Sequence, residues 1–228
     1  MDDKLSIDFS APIPLFPLPN LVLLPHATIP LQMFEPRYRA MIRDVIETRR
    51  LIGMASFEGE SWREEYEGKP PLRPFICVGY TVRHDLLEDG RYNLWLQGVC
   101  RARIVEELPH DPYRVAMVEP TEREPPMEID LSDQRQRLEE LLQDPYLKEL
   151  SAVRAIHNWL SREIPTYVMV DLAIMTLCDD VELRYDMLVD SDPSTRGAWL
   201  EKSLRDTQRT LMTANRLGYA ESDGYAMN

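Results

Sequence analysis

The chain has 228 residues, 44% of them hydrophobic, and a formal net charge of −13. That length suits one large domain or two small ones, and that apolar content can build an ordinary core, so disorder is not the default. Acidity repels phosphate backbones, so nucleic acid and anionic membranes are disfavoured as partners, although net charge alone does not fix where the charges sit.

The acidity is uneven. Residues 1–120 carry 18 acids against 14 bases, and residues 121–228 carry 21 against 12. No uncharged apolar run approaches the ~18 residues a membrane-spanning helix needs. The opening MDDKLSIDFSAP lacks a basic segment followed by an apolar one, so no signal peptide is expected. Cys77, Cys100 and Cys178 are too few and too scattered for a disulfide framework, and read as buried free thiols of a cytoplasmic protein.

In chain order, IPLF (13–16), LVLL (21–24) and TIPLQ (28–32) are short apolar runs separated by Pro17, Pro19 and Pro25. Proline gives no ladder donor, so strands must break or turn there. Next, Pro36 has the φ of a first helical position, and Tyr38, Met41, Ile42, Val45 and Ile46 form one apolar stripe, which predicts an amphipathic helix over 36–49. Strand resumes at 51–57. The polar, proline-bearing stretch 59–74 reads as a long surface loop, a common carrier of function.

Two long strands are expected at 75–86 and 91–108, joined by the turn Glu88-Asp89-Gly90. Gly79 and Gly98 inside them imply bends or close backbone approach. A strand at 113–120 closes the β-rich part. The charged segment 121–130 is the candidate boundary, giving a β-rich region 1–120 and a helical region 121–228. Helices are expected at 131–142, 151–164, 167–178 and 181–189, with a last one running from Asp192-Pro193 to Gly218. The tail 219–228 is expected to be loose.

The run IPLFPLPNLVLLPHATIPLQMFEPRYRAMIRDV (13–45) resembles the opening of the Lon N-terminal domain, above all in free-standing Lon-domain proteins, where Phe-Glu-Pro-Arg-Tyr-Arg is typical. The resemblance continues at 76–82, 87–104 and 171–204, and so spans most of the chain. It implies an α+β fold, with a small bent, β-barrel-like (PUA-like) subdomain carrying one packed helix, followed by a helical bundle. It also implies a region that binds substrate or partner proteins in the peptidase S16 family. Full Lon proteases add an ATPase motor and a Ser-Lys peptidase. Here no G-x-x-x-x-G-K-[ST] loop is present: Gly68-Lys69 is followed by Pro70, and Arg63 stands where the first glycine is needed. The sequence ends before a peptidase would begin, so a non-catalytic module is expected.

Enzyme chemistry finds little support in the residue pattern. None of His26, His84, His110 and His157 lies in a metal-ligand spacing, and His84-Asp85 and His110-Asp111 read as loop pairs. Asp179, Asp180 and Glu182 read as helix-capping residues rather than cation ligands. No cofactor and no metal are expected. Candidate polypeptide-binding residues are Met33, Phe34, Arg37, Tyr38, Trp62 and Tyr66, since aromatic residues, Met and Arg are favoured at interfaces. The bland account of the first four is that Glu35 tops the helix, Arg37 or Arg39 pairs with it, and Phe34 and Tyr38 pack inward. Trp62 and Tyr66 either anchor their loop or meet a partner. Trp199 reads as packing.

The expected function is recognition of unfolded or partner polypeptides, as an adaptor or chaperone-like factor beside a separate protease or chaperone. The alternatives are a small metal- or carboxylate-dependent hydrolase, testable by a metal scan, and an RNA-binding PUA-like module, testable by binding at low salt. The partner's identity and the oligomeric state stay open.

Overall fold

The computed structural model describes residues 7–66, 68–121, 127–160 and 164–217. The expected loose tail, the helix end at Gly218 and the middle of the 121–130 segment lie outside the described residues, as do the side chains of Trp159 and Leu160. The described residues divide into two compact units. One comprises those within Met1–Pro125 and Cys178–Ser191, the other those within Pro126–Leu177 and Asp192–Asn228.

The β unit holds β1 (Ile13–Pro17), β2 (Thr28–Met33), α1 (Pro36–Ile46), β3 (Leu51–Ala55), β4 (Phe75–Leu86), β5 (Tyr92–Leu108) and β6 (Arg114–Pro120). The strand order is β2-β5-β4-β3-β1-β6. β5 is long enough to serve two partners in succession: residues 92–97 pair with β2, and 102–108 pair with β6, which also pairs with β1. This double use bends the sheet into the expected barrel-like form. Register shifts at Val78/Gly79, Thr81/Arg83 and Ile104/Glu106 supply the curvature. Its interior is filled by Ile13, Leu15, Ile76, Val78, Ala102 and Ala116, all fully buried. Pro30 sits inside β2, which a strand at the end of the order tolerates.

α1 buries the stripe Tyr38, Met41, Ile42 and Val45, as its periodicity predicts. Tyr38 meets Phe16 of β1 edge-on at 4.5 Å. Tyr113 donates to Asp44 at 2.7 Å, and burial together with that bond pushes the phenol up to about 12. The apolar run 21–24 forms no strand, contrary to expectation, although Val22, Leu23 and Leu24 are buried. Pro19 and Pro25 bracket the run, and the Leu24 carbonyl at its end packs closely against Gly98. A Cβ on Gly98 would lie 2.3 Å from the Leu24 carbonyl oxygen, and that oxygen belongs to backbone that cannot swing aside. Gly98→Ala is therefore expected to destabilise the β unit by about 1–3 kcal/mol, read as a lower urea midpoint at unchanged slope.

α5 (Val181–Val189) also belongs to the β unit. The sequence groups 181–189 with the helical region, but its fastenings run to β4 and β5. Phe75 N–H donates to the Tyr185 hydroxyl at 3.0 Å, and buried Arg101 donates to the Met187 carbonyl at 3.3 Å. Asp180 caps α5 by accepting from the N–H groups of Glu182 and Leu183, so the capping role expected of this acid is seen.

The helical unit holds α2 (Glu128–Leu142), α3 (Ser151–Leu160), α4 (Thr166–Leu177) and α6 (Pro193–Arg216). α6 starts at Asp192-Pro193 as expected, with Asp192 accepting from Ser194 N–H. α2 starts three residues before 131, and its first residue reaches a distant helix. Glu128 accepts from both the N–H and the hydroxyl of Thr166, capping α4. At the centre, Asp171 of α4 and Arg196 of α6 form an ion pair at 2.9 Å, with side chains 1% and 3% exposed.

Three carboxyls of this unit sit below their usual range. Burial alone would raise each, but hydrogen bonds outweigh it: from Thr166 for Glu128, from Ser194 and Thr195 for Asp192, and from Arg205 and Arg137 for Glu201. A carboxyl depressed in the folded state contributes stability above its unfolded value and loses it as pH falls through the folded value. Acid is therefore expected to lower the melting temperature of the helical unit progressively once pH drops below about 4.5, the ordinary glutamate value. Circular dichroism melts across pH 2–6 check this, and Glu128→Gln is expected to flatten the dependence.

Candidate functional site

The loop following β3 is polar in sequence yet closely held. Its ends are tied by a bridge between Phe57 and Leu72, by Glu58 N–H donating to the Pro71 carbonyl at 2.9 Å, and by Arg73 N–H donating to the Ser56 carbonyl. Gly59 turns the chain at φ 63°, leading into a 3-10 turn over Ser61–Arg63. That turn lays the Trp62 ring on the buried ring of Phe57, with centroids 5.7 Å apart and planes 14° apart. Tyr66 meets the same phenylalanine edge-on at 6.1 Å.

The far side of the loop is pinned by the residues around the start of α1. Arg37 Nε donates to Glu35 at 2.9 Å, the Tyr66 hydroxyl donates to the other Glu35 oxygen at 2.8 Å, and Arg37 Nη1 donates to the Tyr66 carbonyl at 3.2 Å. The guanidinium also lies between two rings, 4.6 Å from Tyr38 and 4.8 Å from Tyr66. Burial and the bond to the Glu35 carboxylate push the Tyr66 phenol above its usual range, so it stays a donor at neutral pH. A third tether runs from Arg114 to the Pro70 carbonyl at 2.7 Å.

Opposite Trp62 stands α5. Arg73 lies 3.4 Å over the Tyr185 ring and donates to Glu182 at 2.8 Å. Between loop and helix lies an open, mainly polar cleft of about 740 Å³, lined by Phe57, Trp62, Phe75, Val181 and Val189 together with acids and arginines. Those dimensions and that mixture of aromatic and charged groups suit a ligand of several side chains. Every wall of the cleft comes from the β unit.

The candidate residues separate into three groups. Met33 and Tyr38 are 1% and 3% exposed and serve the core. Arg37 and Tyr66 hold the loop, while half-buried Trp62 lines the cleft. Phe34 is 61% exposed rather than packed inward, because alternation along β2 sends Met33 into the core and turns its neighbour out. Phe57, Arg73 and Tyr185 escape a reading of the sequence. They lie far apart along the chain, and no local spacing marks them. A second groove, in the helical unit, runs along α6 beside Trp199 and Leu211 with a volume of about 620 Å³.

Residues 12–205 match the model of the ATP-dependent protease La (LON) substrate-binding domain. Among curated relatives, a Lon protease of Chloroflexus aggregans is 35% identical over 107 residues, covering 45% of this chain and 13% of that protein. A Lon protease of Anaeromyxobacter dehalogenans is 28% identical over 115 residues, covering 50% of this chain and 13% of that protein. Thus the chain matches only a small fraction of the length of these relatives. The N-terminal domain of the Mycobacterium avium complex Lon protease superposes with a TM-score of 0.62 at 16% identity, over 86% of this chain and 99% of that one. A Lon N-terminal domain protein from Xanthomonas campestris gives a TM-score of 0.55 at 25% identity, over 83% and 96%.

Proposed function

The chain belongs to the LON substrate-binding domain family, and from that membership we propose that it is a non-catalytic module that recognises unfolded or partner polypeptides through the cleft of its β unit. The observation that carries this reading is the stacked Phe57–Trp62 wall, an aromatic platform held open to the cleft by a tethered loop. Aromatic anchors beside polar and charged groups are favoured in polypeptide recognition. In the same reading the two units are the protein's subdomains, the chain works in the cytoplasm, and it serves as an adaptor that hands its ligand to a separate protease or chaperone. Among the described residues no helix is long and apolar enough to cross a membrane.

The test is a fluorescence-anisotropy titration against a labelled, permanently unfolded polypeptide, with the same polypeptide in its native form as control. Selective binding of the unfolded form, weakened about tenfold or more in a folded Trp62→Ala variant, is the expected result, since a hot-spot aromatic is worth about 2 kcal/mol. Equal binding of both forms, or a loss in Phe34→Ala and not in Trp62→Ala, contradicts it.

A further inference from the structure

The lining of the cleft carries more acid than base, and the pairing within it sharpens the imbalance. Its two guanidiniums are both engaged. Arg63 is paired with Glu60 at 2.5 Å and lies 5.5 Å from the Trp62 ring; Arg73 is paired with Glu182 and covers Tyr185. Glu58 and Asp186 also line the cleft, one from the loop and one from α5, and among the described residues neither has an ion-pair partner. The cleft therefore offers an aromatic face together with two carboxylates free of ion pairs and, among the described residues, no uncommitted cation.

We propose that this cleft selects cationic apolar segments, in which a lysine or arginine adjoins an aromatic or aliphatic residue, over neutral or acidic segments of equal hydrophobicity. This preference rests on the polypeptide-recognition reading and names the class of segment that the site takes. The apolar side chain lies on the Trp62–Phe57 wall, and the neighbouring ammonium or guanidinium meets Glu58 and Asp186. An acidic segment would bring a third charge of the same sign into a partly desolvated recess, where like charges repel strongly. The net charge of −13 steers cationic segments from a distance and adds a salt-dependent on-rate.

Three fluorescein-labelled peptides of identical aromatic and aliphatic content test this, one carrying Lys, one Gln and one Glu at the positions flanking the aromatic residue. The expected order of affinity is Lys, Gln, Glu, with about tenfold between first and last at low salt, narrowing as salt rises. The double variant Glu58→Gln/Asp186→Asn should bring the Lys peptide to the affinity of the Gln peptide. The variant Asp133→Asn/Glu140→Gln, in the helical unit, changes net charge equally and should preserve the order, which separates local pairing from steering. Equal affinity for all three peptides would overturn the charge preference while leaving polypeptide recognition standing. A preference that survives Glu58→Gln/Asp186→Asn would also overturn it. No binding of any peptide, together with no binding of unfolded polypeptide, would overturn both readings.

Discussion

Replacing Arg37 with alanine should release the loop from its tether, lowering stability by about 1–3 kcal/mol and unfolded-polypeptide affinity by about tenfold. The change removes the bonds to Glu35 and to the Tyr66 carbonyl, and the guanidinium between the rings of Tyr38 and Tyr66. It leaves the Glu35 carboxylate, 22% exposed, without its counter-charge. Arg37 lines no wall of the cleft, so its effect on binding would pass through the position of Trp62. Limited tryptic cleavage after Arg63 reports the same event independently, and should quicken in Arg37→Ala. Arg37→Lys keeps a charge but loses the planar fork that serves Glu35 and Tyr66 together, so it should rescue stability more than binding. Unchanged cleavage and unchanged binding in Arg37→Ala would show that the loop holds itself.

The largest stability effect belongs to the helical unit. Either Asp171→Ala or Arg196→Ala should destabilise it by about 3–5 kcal/mol, because each removes one half of a buried ion pair and leaves the opposite charge in a nearly inaccessible interior without that counter-charge. The partners are nearly inaccessible and bonded at 2.9 Å, so water cannot take over. Replacing both with leucine and methionine should recover much of the loss, since the charge penalty disappears with the pair. Urea unfolding followed by circular dichroism measures all three. Single variants within about 1 kcal/mol of the parent would mean that solvent reaches the pair after all.

Local chemistry made much of the fold legible in the sequence. Pro36 and the apolar stripe behind it mark α1, Asp180 and Asp192 cap the helices they precede, and Gly90 turns at φ 79° where Asp-Gly predicts a turn. Gly98 signals a close approach by its presence inside a strand. What escaped was set by distance along the chain. The run 21–24 has strand composition but packs its carbonyl against Gly98, a partner far along the chain. The attachment of α5 to β4 and β5 depends on Arg73, Phe75 and Arg101 finding Glu182, Tyr185 and Met187, and no periodicity encodes such pairs. The cleft was half visible for the same reason. Trp62 and Tyr66 stand out as aromatics in an acidic loop, whereas Phe57 looks like any strand residue and Tyr185 like part of any short helix.

The run Phe34-Glu35-Pro36-Arg37-Tyr38 thereby gains a physical role. Pro36 opens the helix, Tyr38 enters the core, and Glu35 with Arg37 grips the loop that carries Trp62. A segment that reads as a candidate binding epitope thus also ties down the loop that carries Trp62, and it leaves Phe34 exposed.

Amide hydrogen exchange with and without a saturating, permanently unfolded polypeptide tests polypeptide recognition by the cleft most directly. Added protection is expected in the loop around 57–66 and in α5 at 181–189. Protection confined to α6 beside Trp199, with the loop and α5 exchanging as in the free protein, would contradict recognition through the cleft.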